Sequence, residues 1–282
     1  MSNTTEQLNN TENNQEITSE STLFAEPIFH IGNFTITNSL INSWITVVIL
    51  VIFFVLLGRK IRKIPKGIQN IFEILLEKAF EMADSVTGSR KKSEKFLPIS
   101  LALFLFILVN NWLGLLPGVG TIGFVEQEGA HRVFIPFFRG GTADLNTTLA
   151  LALFAVVASH VMGVVMIGIW KHFNKFINLE AFMAIPGKIK KDVTIVLVNP
   201  IKAFVGIVEI IGEVAKVASL SFRLFGNIFA GEVLLASMMA LFAYILPLPF
   251  MFLEIIVGLI QALIFAMLTL VFITIATSSE EH

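Results

Sequence analysis

The sequence predicts an all-α integral membrane protein: about five transmembrane helices, one amphipathic interfacial helix, and a long tilted helical hairpin at the C-terminus. Three observations lead there. Of 282 residues, 55% are hydrophobic and only 15% charged, whereas a soluble domain carries about 25% charged residues. Apolar runs recur at close to the ~20 residues that a 30 Å hydrocarbon core demands of a helix. Lys and Arg gather in alternate connecting loops, the pattern of segments kept on the cytoplasmic side. Phe occurs 27 times and Tyr once, a usage that suits lipid-facing surface. The absence of cysteine excludes disulfides, iron–sulfur clusters, thiolate zinc sites and cysteine nucleophiles. A net charge of −1 gives no electrostatic basis for a nucleic-acid partner.

Residues 1–39 are polar, low in complexity (TTEQLNNTENNQE) and lack Lys and Arg. They have no basic region followed at once by an apolar stretch, so they do not read as a secretory signal. A disordered, extracytoplasmic tail is expected, followed by one membrane domain over 40–282. The first span covers 40–57 and is followed by Arg59, Lys60, Arg62, Lys63 and Lys66, which place that loop in the cytoplasm. Over 65–88, Ile68, Ile71, Phe72, Leu75, Leu76, Ala79 and Phe80 recur at three- and four-residue spacing, with acidic residues opposite. That is an amphipathic helix for the cytoplasmic surface or a partner helix. Pro65 can start it and Gly88 can end it.

Further spans are expected over 96–116 and 145–170, separated by an outside loop at 117–144. Of the basic residues, Arg132 and Arg139 fall in that loop. Lys171, Lys175, Lys188, Lys190 and Lys191 mark the return to the cytoplasm. From Pro200 to Leu246 no further proline interrupts helix-compatible sequence. A helix over 200–246 would run about 70 Å, more than twice the hydrocarbon thickness, so it must break or tilt strongly. Pro247 and Pro249 force a turn, and 250–277 supplies the last span.

Charge within apolar sequence is the main functional signal. The last two helices carry Lys202, Glu209, Glu213, Lys216, Arg223, Glu232, Glu254 and Gln261. A charge at the centre of a membrane helix costs at least about 2.5–3.5 kcal/mol on insertion scales. Lysine or carboxyl groups can discharge when desolvated, but arginine cannot. Arg223 therefore needs an anionic partner or a water path. One reading is a helix-locking salt bridge to Glu209, Glu213 or Glu232; the other is a functional cation. Glu209, Lys216 and Arg223 are spaced by seven and form one drifting stripe. Ser219, Arg223 and Asn227 share a face, while Glu232 points to the opposite side of a regular helix. Glu254, Gly258 and Gln261 form a second stripe, Gly258 leaving room for close helix approach. His160 lies in the third span, where an interhelical hydrogen bond is expected; His131 and His172 lie in loops.

The stretch SLSFRLFGNIFAGE (Ser219 to Glu232) resembles the signature of subunit a of F-type ATP synthases. TADLN (Thr142 to Asn146), NNWLGLLP (Asn110 to Pro117) and QALIFAMLTLVF (Gln261 to Phe272) extend that resemblance over roughly 27–282. It implies a stator beside a ring of c subunits, with b-type peripheral stalk subunits and membrane lipid as further partners. Two offset aqueous half-channels would carry protons to and from the ring carboxylates. Arg223 would be the arginine facing the ring, with Asn227 and Gln261 as its polar neighbours. Glu232 and Glu254 would be the paired ionisable groups of the outer half-channel, and Asn111, Thr142, Asp144 and Asn146 would lie near its mouth. Glu209, Lys216 and Ser219 would line the cytoplasmic part of the same helix. Some members have a histidine where Glu232 or Glu254 stands. The implied setting is an energy-coupling membrane, the bacterial plasma (inner) membrane, with the N-terminus outside and the C-terminus cytoplasmic.

The residues carry no HExxH, GxSxG or P-loop and no metal-ligand spacing, so no catalytic site, metal or cofactor is expected. An ion-coupled secondary transporter is the alternative. It predicts internal repeats with broken helices at matching positions, whereas the charges here concentrate in one C-terminal hairpin.

Overall fold

The computed structural model describes residues 17–18, 24–59, 61, 67–120, 122–128, 131–172, 194–242 and 245–278. Six long helices dominate: α1 (Asn38–Arg59), α2 (Ile68–Thr87), α3 (Arg90–Gly114), α4 (Leu145–Ile167), α5 (Thr194–Leu241) and α6 (Pro247–Thr277). Five of these are long and apolar enough to cross a membrane, α5 through its Val208–Leu241 part; α2 is the exception. The chain divides into two compact units, one of residues 1–55, 106–147 and 225–261, the other of 56–105, 148–224 and 262–282.

In the first unit, α1 is built inside out relative to a helix in water. Asn38, Ser39, Asn42, Ser43 and Thr46 are its buried residues, while Val47, Val48, Val51, Ile52 and Leu56 are exposed. Hydrocarbon solvates the apolar face, whereas polar side chains must find partners inside the protein. They do so: Asn42 Nδ2 donates to Asn110 Oδ1 at 2.9 Å, and Asn110 Nδ2 donates to Ser43 Oγ at 3.2 Å. The Thr37 hydroxyl caps the start of α1, accepting the Leu40 amide at 3.4 Å.

Strand pairing was not anticipated. Strands β2 (Pro27–Ile31) and β3 (Phe34–Thr37) form an antiparallel hairpin that runs directly into α1. Disorder over 1–39 therefore does not extend to residues 27–37. The reason is local: PIFHI and FTIT are rich in β-branched and aromatic residues around Gly32, whose φ of 63° makes the tight turn. The loop expected over 117–144 is also structured. It holds β4 (Pro117–Gly120), β5 (Gly123–Glu128) and β6 (His131–Pro136). β5 pairs antiparallel with β6, and β6 pairs in parallel with β1 (Ile17–Thr18). Most of the rest of the tail, residues 1–16 and 19–23, lies outside the described residues.

In the second unit, α2 begins at Ile68, with Gly67 before it and Gly88 closing it in the left-handed region at φ 67°. The Gly88 amide donates to the Asp84 carbonyl at 2.9 Å. Ala83 joins Phe96, Leu97, Leu270 and Ile273 in a core against which Leu76, Ala79 and Phe80 pack. Ile71 and Leu75, expected on the same apolar stripe, remain exposed. The basic stretch before the second span is helical, since α3 starts at Arg90, six residues before the expected boundary. Helix α4 ends at Ile167 rather than 170, because Gly168 takes a φ of 94°; a helical turn at 169–172 follows. Of the loop expected to follow the first span, Arg59 is described, and of that before α5, Lys171; Lys60, Arg62, Lys63, Pro65, Lys66, Lys175, Lys188, Lys190 and Lys191 lie outside the described residues.

The segment expected over 200–246 is one helix of 48 residues from Thr194 to Leu241. At 1.5 Å per residue it is about 72 Å long. Helix α6 opens at Pro247, where the missing amide proton costs nothing.

Candidate functional site

Each side chain of the predicted site belongs to one of the two units, and each unit has its own polar constellation. In the first, a buried network joins α3 to the segment before α4. Asn111, Thr142 and Asp144 are all nearly inaccessible. The Thr142 hydroxyl donates to Asn111 Oδ1, and Asn111 Nδ2 donates to the Gly258 carbonyl on α6 at 3.1 Å. Gly258 permits this approach: a Cβ there would lie 3.2 Å from the Asn111 Cβ. Asp144 receives the Ala25 amide at 3.3 Å, the Ser39 hydroxyl at 3.1 Å, the Asn146 amide at 3.2 Å and the Thr147 hydroxyl at 3.0 Å. A carboxylate with four donors is a structural hub that ties the hairpin segment, α1 and α4 together. The Asn146 side chain is exposed.

Glu232 has a partner that sequence reasoning left as a topological marker. Arg139, from the segment between α3 and α4, is 5% exposed and grips the Glu232 carboxylate. Its Nε donates to Oε1 at 3.0 Å and to Oε2 at 3.2 Å, and one terminal nitrogen donates to Oε2 at 3.0 Å. The other terminal nitrogen donates to the Phe24 carbonyl at 3.2 Å. This is the bidentate fork that distinguishes arginine from lysine. The signal was present in the sequence, since Arg132 and Arg139 are the two Lys or Arg residues over 117–144, but nothing local linked either one to a glutamate 93 positions away.

Glu254 on α6 is 7% exposed. Its carboxyl group occupies the space a side chain at Gly231 would fill, so the glycine is what admits it. Among the described residues, no hydrogen bond or ion pair reaches that group. Glu232 and Glu254 thus share this unit, Glu232 following Gly231 directly in the chain. Gln261 is half-buried and Asn227 exposed.

In the second unit, α5 carries the predicted cationic stripe. Arg223 is exposed, and its guanidinium donates to the Ser219 hydroxyl one turn back at 3.3 Å. Phe222 beside it is exposed as well, whereas Leu220, Ser221 and Leu224 are buried. Arg223 therefore lies on a face of α5 turned away from that unit's packing. Lys216 is half-buried; its ammonium donates to Glu213 at 2.6 Å and lies 5.2 Å from the Phe272 ring centre. Of the salt-bridge partners considered for Arg223, Glu213 pairs with Lys216 and Glu232 with Arg139. Glu209 is half-buried. The side chain of Lys202 lies outside the described residues.

His160 sits in a cluster: its Nε2 lies 3.3 Å from Glu213 Oε2, and its Nδ1 3.1 Å from Nε2 of His172 in the turn after α4. His172 is not in a loop; it is helical and 4% exposed. His131 lies in β6. Among the described residues there is no cluster of His, Asp and Glu fit to hold a metal.

Fold and site together define a helical membrane protein that spends internal polar contacts on locking its spans and turns an arginine outward from an over-long helix. Residues 40–274 match the family model described as ATP synthase A chain, and the chain belongs to that family. It is 29% identical over 248 residues to the ATP synthase subunit a of Moorella thermoacetica, covering 87% of this chain and 93% of that one. It is 32% identical over 242 residues to the Syntrophobacter fumaroxidans subunit a (86% and 84% covered) and 32% over 253 residues to that of Campylobacter jejuni (90% of each).

Proposed function

We propose that this chain is the stator subunit of a rotary ATP synthase, providing two aqueous half-channels that pass protons to and from carboxylates on a c-subunit ring. Ion flow would thereby turn the ring, while ATP chemistry takes place on other subunits. The reading rests above all on Arg223. A guanidinium cannot discharge in low dielectric, yet this one stands exposed on a helix of 48 residues that carries a candidate span. An anion supplied by another subunit would meet that charge, and a carboxylate passing on a rotor is such an anion. A helix about 72 Å long can follow a curved rotor surface over several subunits when tilted, where an upright helix would touch it once.

Within this reading Asn227, one turn after Arg223 on the same helix, and Gln261 are polar residues that serve the rotor. Glu232 and Glu254 serve the outer half-channel, and the Asn111, Thr142, Asp144 and Asn146 segment forms its mouth. Glu209, Lys216 and Ser219 border the inner one. The b-type stalk and lipid complete the surroundings, with the N-terminus outside and the C-terminus in the cytoplasm. Residues 40–282 would act as one membrane domain, with the helix at 68–87 lying along the cytoplasmic interface. Substituting Arg223→Ala is expected to abolish proton-driven ATP synthesis in vesicles while the complex still assembles. Synthesis at a near-normal rate would refute the reading.

A further inference from the structure

We propose that the β2–β3 hairpin is a membrane anchor, an amphipathic pair of strands whose apolar side lies in the headgroup and acyl boundary of the bilayer beside the start of α1. The hairpin pairs Ile31 with Phe34, His30 with Thr35 and Phe29 with Ile36. Paired residues of an antiparallel ladder project from the same side, and neighbours along a strand from opposite sides. One side therefore carries Phe29, Ile31, Phe34 and Ile36, and the other carries His30 and Thr35. The polar side makes its own contact, the Thr35 hydroxyl and His30 Nδ1 being hydrogen-bonded at 3.0 Å. On the apolar side Ile36, at the root, is buried, but Phe29, Ile31 and Phe34 are 46%, 62% and 58% exposed.

Continuity is the first reason to assign lipid to that side. β3 ends at Thr37 and α1 begins at Asn38, so the hairpin stands where a span with exposed Val47, Val48 and Val51 leaves the hydrocarbon. Trp44, within two turns of that start, is 50% exposed and marks the level of the interface, where tryptophan concentrates. Charge is the second reason. Between Glu26 and Arg59, His30 is the only titratable residue. Exposed edge strands in water are blunted by charged side chains, lysine above all, and this hairpin has none. A protein partner would call for a polar rim around the apolar patch, whereas the polar side chains here lie on the far side and at Asn33 in the turn.

Anchorage at the root is the third reason. The Asn38 amide donates to the Glu26 carbonyl at 3.2 Å, Asn38 Nδ2 donates to the Pro136 carbonyl at 3.3 Å, and the Ala25 amide donates to Asp144. These contacts fix the root beside the end of α1. A two-stranded hairpin is marginal in water by itself, so the part beyond the root needs a surface to lie on. Because Phe24 and Ala25 bind Arg139 and Asp144 through their backbone, an anchored hairpin also steadies those two side chains.

The chain has no cysteine, so a single spin label reports one position. The assembled complex, its other subunits freed of cysteine, is reconstituted in vesicles of phosphatidylcholine and phosphatidylglycerol. Labels are placed at Phe29→Cys, Ile31→Cys and Phe34→Cys on one side and at His30→Cys and Thr35→Cys on the other. Relaxation by oxygen, which concentrates among acyl chains, is compared with relaxation by a water-soluble nickel chelate. Positions 29, 31 and 34 are expected about 5–10 Å below the phosphates, the depth of an interfacial amphipathic segment, with 30 and 35 at or above them. In the double variant Ile31→Ser, Phe34→Ser, a label at 29 is expected to lose that depth. Nickel access at all five positions would overturn the proposal, because the hairpin then stands in water. Exclusion of both oxygen and nickel at 29, 31 and 34 would do so too, because a protein then covers that side. An unchanged depth at 29 in the double-serine variant would also overturn it, since the apolar side would not be what holds the hairpin down.

Discussion

The Arg139–Glu232 pair sets up a quantitative expectation. Replacing Arg139 with Leu removes three short contacts to the carboxylate and one to the Phe24 carbonyl. Breaking a fully buried ion pair by removing one partner costs about 3–5 kcal/mol, chiefly because the other charge is stranded. Glu232 is 35% exposed, so water can rehydrate part of it, and exposed pairs contribute no more than about 1 kcal/mol. The intermediate geometry gives an expected loss of about 2 kcal/mol. A double-mutant cycle of Arg139→Leu and Glu232→Gln isolates the pair from the Phe24 contact. Reversible unfolding in mixed micelles titrated with SDS and followed by circular dichroism would measure it, with an expected coupling of about 1–2 kcal/mol. Arg139→Lys is expected to recover only part of that, since an ammonium cannot form the fork. A coupling below about 0.5 kcal/mol would refute the reasoning and reduce the pair to a surface contact.

Two further outcomes follow from other parts of the molecule. Gly231→Ala places a methyl group where the Glu254 carboxyl sits. The gain of up to about 1 kcal/mol in helix propensity should be offset by about 1–3 kcal/mol of overpacking, and proton flux should fall as Glu254 is displaced; unchanged flux in vesicles would remove Glu254 from the path. Hydrogen bonding from Ser93 and the Arg90 guanidinium holds the Asp84 carboxyl below the usual range. Because the folded-state value is depressed, its stabilisation is present above the ordinary aspartate pKa of about 3.9 and is lost as pH falls through the folded value. Amide exchange around 84–93 should therefore quicken below about pH 4, and Asp84→Asn should flatten that dependence; identical profiles for the two proteins would contradict it.

Several of these features could be read directly from the chain. That five helices are long and apolar enough to cross a membrane was legible because lipid imposes a one-dimensional rule of about twenty apolar residues. The excessive length of α5 was legible from the lack of prolines after Pro200, though its start at Thr194, before that residue, was not. Arg223, Ser219 and Asn227 could be placed on one face by period alone. The hairpin at 27–37 was missed because a polar, low-complexity beginning dominated the reading of the whole tail. Its β-prone runs are only five and four residues long.

Partnerships were a different matter. That Asn111 would meet Thr142 and Gly258 needs three segments brought together, and helical spacing holds no record of it. The same is true of Arg139, which the sequence marks only as one of two basic residues between the second and third spans, and of His172, which lies twelve residues from His160 beyond a break in the helix. Sequence by itself determined what must be buried in lipid, where the chain must turn and which cation could never discharge, because these follow from the transfer free energies of single residues and the local helical period. Only the tertiary structure decided which carboxylate answers which cation. That choice depends on distances of about 3 Å between residues far apart in the chain, and no local property of either residue encodes it.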